Sequence, residues 1–136
     1  AGLYPSMMVA RNISWETKST KPTSFAVNLS TPKDFSDCKD TDMLYYNTDK
    51  LGMLPKSVLN LKTLRDSYKQ NRKNASSKEE YNKWDSNQLA VKRLMASFYG
   101  VLAYQGFGWA DVDLAASITA SAREAIREAA FKAREL

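Results

Sequence analysis

Apolar positions recur three and four residues apart through the second half of the chain, a spacing that predicts helices. From 56 to about 73 they fall at Val58, Leu61, Leu64 and Tyr68. From 78 to about 99 they fall at Tyr81, Trp84, Leu89, Val91, Met95 and Phe98. The polar break Asn74-Ala75-Ser76-Ser77 between them precedes a capping-box pattern, Ser77 with Glu80 or Ser76 with Glu79. Two long helices across so short a turn predict an antiparallel helical hairpin. Residues 100–108 read as irregular and aromatic, with Tyr104 and Phe107 and then Trp109. Asp111 or Asp113 then caps an Ala-rich helix running to the C-terminus, its buried face formed by Leu114, Ile118, Ala122, Ile126, Ala129 and Ala130.

The first half is patterned differently. Pro5 suits the first turn of a short helix through Met7, Met8 and Val9. Residues 13–50 are rich in Thr, Ser, Asp, Asn and Lys, and inside them Ser24 to Leu29 and Met43 to Tyr46 read as short strands paired around a polar loop. Gly52-Met53-Leu54-Pro55 punctuates the chain, and Pro55 marks the start of the first hairpin helix. The expected fold is α+β, mainly α: a helical hairpin flanked by a few short strands and a C-terminal helix, within the length of one domain.

Composition narrows the chemistry. The chain has 136 residues, 43% of them hydrophobic and 26% charged, which is ordinary for a globular protein. The absence of His removes Ser-His-Asp and Cys-His nucleophile pairs, His general bases and His-ligated zinc. The single Cys38 excludes an internal disulfide and a Cys₂ or Cys₄ metal site. Carboxylates, Lys, Arg, Ser and Tyr are left to carry any reaction.

The net charge of +5 is unevenly spread. Residues 56–93 hold ten basic and four acidic side chains, against six and six before them and four and five after. A localised basic surface attracts polyanions such as nucleic acid or nucleotide phosphates, although a solvated helix face produces the same pattern. Lys62, Arg65, Lys69 and Arg72 are spaced as one stripe along the first hairpin helix. Lys92, Ala96 and Tyr99 share a face of the second, ending at Gly100. Cations four residues apart repel unless an anion lies between them, so Arg65 and Lys69 suit a phosphate ligand.

The wording of these segments is more specific than their spacing. Lys92-Arg-Leu-Met-Ala96-Ser97-Phe98-Tyr99-Gly100 resembles the Lys-x-x-x-Asn-Ser-x-Tyr-Gly motif of family B DNA polymerases. Gly2-Leu3-Tyr4-Pro5-Ser6 is similar to the end of that family's Asp-x-x-Ser-Leu-Tyr-Pro-Ser motif. Gly52-Met-Leu-Pro55 followed by Leu64-Arg65-x-x-x-Lys69 resembles the first fingers helix. The three motifs stand in the family's order and cover nearly the whole chain.

The resemblance implies partial palm over 1–55, the fingers hairpin over 56–99, and a return to the palm over 100–136. It implies that Arg65, Lys69 and Lys92 grip the triphosphate of an incoming dNTP, with the backbone amides of Gly2 and Leu3 facing it. Tyr4 would lie under the sugar as a steric gate, and Tyr99 and Gly100 against the nascent base pair. The implied partners are DNA primer-template and dNTP, and the implied cofactor is Mg²⁺ in the full-length parent. Ala96 stands where the family has Asn, and Gly2 where it has Ser.

The metal-binding Asp of the first motif would fall just before Ala1, and the Asp-Thr-Asp motif does not occur before Leu136. The expectation is therefore a fragment that holds no metal and is inactive alone. Asp111-Val-Asp113 is too close to the second motif to substitute, and reads as a helix cap. The other reading is a stand-alone basic hairpin that binds nucleic acid without catalysis. No apolar run is long enough to span a membrane and nothing suggests secretion, so an intracellular protein is expected, and the Asn-x-Ser triplets at Asn12, Asn28 and Asn74 are read as chance. Apolar surface on 1–9 and on the last helix would favour a homo-oligomer.

Overall fold

The computed structural model describes residues 2–29 and 43–136; Ala1 and Cys38 lie outside them. Among the described residues the order is α1 (Leu3–Ala10), a 3₁₀ turn (Trp15–Thr17), β1 (Lys18–Ser19), β2 (Phe25–Asn28), β3 (Met43–Tyr46), α2 (Met53–Lys73), α3 (Lys78–Ala103) and α4 (Val112–Arg134). The fold is α+β and mainly helical, as the pattern predicts. None of the helices is long and apolar enough to cross a membrane.

The two predicted strands pair antiparallel, with Phe25 opposite Tyr46 and Val27 opposite Leu44. A third strand joins them: β1 lies on the other edge of β3, with Lys18 opposite Tyr46. Two residues are too few to show an alternation, which is why the sequence pattern does not reveal β1. Tyr46 and Val27 turn inward and are buried.

The hairpin is longer than expected at both ends, α2 beginning at Met53 and α3 continuing past Gly100 to Ala103. Cross-helix pairs descend α2 as they ascend α3 (Arg72 with Asp85, Tyr68 with Trp84, Arg65 with Gln88), so the helices run antiparallel. At the turn, Ser77 Oγ accepts the Glu80 N–H at 3.1 Å, and Glu80 reaches back to the N–H and hydroxyl of Ser76. Those bonds from Ser76 hold the exposed Glu80 carboxyl below its ordinary pKa.

The core lies where α1, the sheet, the hairpin base and the first half of α4 meet. Met8, Ile13, Leu114 and Ile118 are fully buried there, each side chain contributing roughly 1.5–3 kcal/mol. The expected buried face of the last helix is corrected at Ile126, which is exposed, and of the hairpin's apolar positions Leu64 and Tyr81 are exposed as well. Ala129 and Ala130 are exposed too. The cause is reach. Only the base of the hairpin and the first half of α4 pack against other elements, and beyond Ala122 most of α4 is exposed.

Candidate functional site

Three elements meet at the base of the hairpin and leave a depression between them. Its larger part, about 440 Å³, is bordered by Gly2 and Ser6 of α1's start and by Lys62, Arg65, Asp66 and Lys69 of α2. Its smaller part, about 170 Å³, is bordered by Gly2, Pro5, Arg65, Lys92, Met95 and Ala96. Gly2, Pro5, Arg65 and Met95 border both, so the two parts adjoin. The structure thus gathers Arg65, Lys69 and Lys92 from two helices around Gly2, and adds Lys62, which the stripe contains. Asp66 is the one acidic side chain bordering either part among the described residues.

The α1 end of this depression is polarised by the backbone. Gly2 takes a left-handed conformation (φ 94°), which glycine adopts without the Cβ clash other residues suffer. Its carbonyl accepts the Ser6 N–H at 3.0 Å and the Ser6 hydroxyl at 2.7 Å. No side chain caps the N–H groups that open α1, and Pro5 has none to offer. Unpaired N–H groups at a helix start carry partial positive charge and favour an anion. Side-chain cations and backbone dipoles therefore have the same sign around one hollow.

Tyr4 and Tyr99 pack against each other, with ring centroids 4.7 Å apart and planes tilted by 42°. Leu3 and Gly100 border neither part of the depression, and both are exposed. A Cβ built on Gly100 would meet nothing within 4 Å. Arg72 leaves the predicted stripe: its guanidinium turns to Asp85 at 2.5 Å and lies 5.6 Å from the Tyr81 ring centre. Gln88, a buried polar residue that the apolar spacing does not single out, accepts from Arg65 Nε at 3.1 Å.

Among the described residues no three Asp, Glu or Cys side chains gather where an ion could be held. Asp111 is occupied as a helix cap: Oδ1 accepts from the N–H groups of Asp113 and Leu114, and Oδ2 pairs with Lys18 at 2.8 Å. The described residues do not fit a Mg²⁺ site.

Residues 1–133 match DNA polymerase family B. The chain belongs to that family. Among solved structures it is similar to the family B DNA polymerase from the hyperthermophilic archaeon Pyrobaculum calidifontis, with a TM-score of 0.76 and 24% identity over 99% of this chain. At that identity the likeness is one of fold. The chain spans 17% of that polymerase's length. No curated protein matches it in a sequence search.

Proposed function

We propose that the chain is the nucleotide grip of a DNA-directed DNA polymerase, with residues 56–99 as the fingers hairpin and 1–55 and 100–136 as parts of the palm. The observation that carries this reading is the convergence of Arg65, Lys69 and Lys92 on the uncapped start of α1. Phosphoryl transfer depends on positioned cations more than on covalent groups, so a His-free chain is suited to hold its substrate. The three side chains bind the dNTP triphosphate, and the N–H groups of Gly2 and Leu3 contribute further donors. Tyr4, held by Tyr99, lies under the sugar and excludes a 2′-hydroxyl, while Tyr99 and Gly100 border the nascent base pair formed with the DNA primer-template.

Two-metal nucleotidyl transfer requires carboxylates that the described residues do not gather. Mg²⁺ is therefore assigned to the parent polymerase, and this chain alone is proposed not to extend a primer. The exposed apolar side of α4 is proposed to associate with a second copy.

The test compares two ligands. Arg65→Ala and Lys92→Ala should each weaken dNTP binding about tenfold or more, the cost of a charged hydrogen-bond partner, while affecting duplex DNA much less. Equal losses on both ligands, with a shallower salt dependence, would identify a generic basic hairpin instead.

A further inference from the structure

The cation that borders both parts of the depression is held from behind by a chain of polar groups. Arg65 Nε donates to Gln88 Oε1 at 3.1 Å, Gln88 Nε2 donates to Asp85 Oδ1 at 3.0 Å, and Arg72 pairs with the same Asp85 oxygen at 2.5 Å. We propose that Gln88, fixed by the Asp85–Arg72 pair, is a positioning residue that presets the Arg65 guanidinium for the triphosphate; this rests on the nucleotide reading above.

The direction of the relay follows from the donors. An ionised carboxylate accepts only, so Asp85 demands the NH₂ side of the Gln88 amide. The carbonyl side is then turned to Arg65, which can only donate. Gln88 hydrogen bonding and Arg72 hold the Asp85 carboxyl below its ordinary pKa, keeping it an acceptor. Gln88 is only 5% exposed, so water does not compete freely for the amide. With Nε engaged, the Nη groups of Arg65 have no protein partner among the described residues and remain for a ligand. Asp85, Gln88 and Lys92 lie three and four residues apart, so the relay and the α3 cation share a helix face. A long side chain held in its binding geometry loses less freedom when the ligand arrives.

The experiment measures the Kd of the full chain for dTTP together with thermal unfolding. Gln88→Leu should raise the Kd about three- to tenfold, the effect of one hydrogen bond, and add less than about twofold in an Arg65→Ala background. Exchanging the pair (Arg72→Asp with Asp85→Arg) separates positioning from clamping. It keeps an ion pair across the hairpin, but a guanidinium at 85 calls for the carbonyl side of Gln88 and turns the NH₂ toward Arg65. The exchange should therefore retain the melting temperature while raising the Kd as Gln88→Leu does.

If Arg65→Ala weakens binding and Gln88→Leu does not, the relay is overturned and the nucleotide reading stands. An exchange variant with wild-type Kd overturns it equally. If Arg65→Ala leaves the Kd unchanged, the nucleotide reading fails and the relay falls with it. Should Gln88→Leu not fold, hydrogen exchange of the wild-type Arg65 Nε–H decides: slow exchange supports the relay, and rapid exchange overturns it.

Discussion

Tyr46 ends β3 with its side chain wholly buried and its hydroxyl donating to Ser117 Oγ on α4 at 2.7 Å. Burial pushes its pKa from 10.0 up to about 12, against the pull of the Ser117 hydrogen bond. The proton is thus held more tightly in the fold than in the unfolded chain. Its contribution to stability is intact below pH 10 and is lost as pH rises through 12. Urea titrations should show wild-type stability falling relative to Tyr46→Phe across that window. At neutral pH the same variant should be less stable by about 1 kcal/mol, with Ser117 left unpaired. Asn12 is a second residue of this kind. Buried and left-handed (φ 51°), it donates to the carbonyls of Asn47 and Lys50 and accepts from Gly52 N–H at 2.7 Å. Asn12→Ala should cost about 2–4 kcal/mol in chemical denaturation. The sequence shows Asn12 only as the start of an Asn-x-Ser triplet. Its partners are 35 and more residues away, and no local pattern encodes them.

At the scale of elements, the start of α2 shows how the polar first half of the chain supports the hairpin. Gly52 N–H is taken by Asn12, Met53 N–H by a Glu16 carboxylate oxygen and Leu54 N–H by Ser14 Oγ; Pro55 has no N–H to satisfy. The helix that carries Arg65 and Lys69 is thereby sealed, whereas no side chain caps the start of α1. A Cβ on Gly52 would stand 2.6 Å from Ser14 Cβ and 2.8 Å from a Thr17 methyl. Gly52→Ala should therefore destabilise the chain by about 1–3 kcal/mol, read as a lower urea midpoint. Partial burial pushes the Glu16 carboxyl up, but the Ser14 hydroxyl and the N–H groups of Glu16 and Met53 outweigh it and hold its pKa below 4.5. A depressed carboxyl stabilises the fold above its unfolded pKa and loses that contribution as pH falls through the folded value. Glu16→Gln should flatten the acid side of the stability profile below pH 4.5. The helices were legible because their apolar spacing runs for five turns or more. The seal was not, because Ser14 and Glu16 act on a helix almost 40 residues later. The cations Arg65, Lys69 and Lys92 were legible as a motif, while Gln88 was hidden by the assumption that inward positions are apolar.

At the scale of the whole molecule, the charge is unevenly placed and one helix outruns the core. The basic excess lies on the hairpin, and on the far half of α4 Ile126 and Phe131 are both more than half exposed. The first half of α4 is buried against α1, α3 and β2, with Arg11, which follows α1, reaching Glu124 at 3.3 Å. Past that ion pair most of the helix is exposed. The apolar spacing continues regardless: Ile126, Ala129 and Ala130 follow Leu114, Ile118 and Ala122 on the same face. A helix that keeps its apolar face beyond the end of its own core presents surface for another helix. Two copies of α4 packed antiparallel would bury Ile126 with Ala129 and Ala130, whereas Phe131, five residues from Ile126, points away among charged neighbours. Sedimentation velocity should show mass rising with protein concentration, and Ile126→Lys with Ala130→Lys should return the chain to a monomer. These positions lie outside the depression, so dTTP affinity should be unchanged in the double variant. A monomer at the highest accessible concentration of the wild-type chain would show that this face has no affinity for itself.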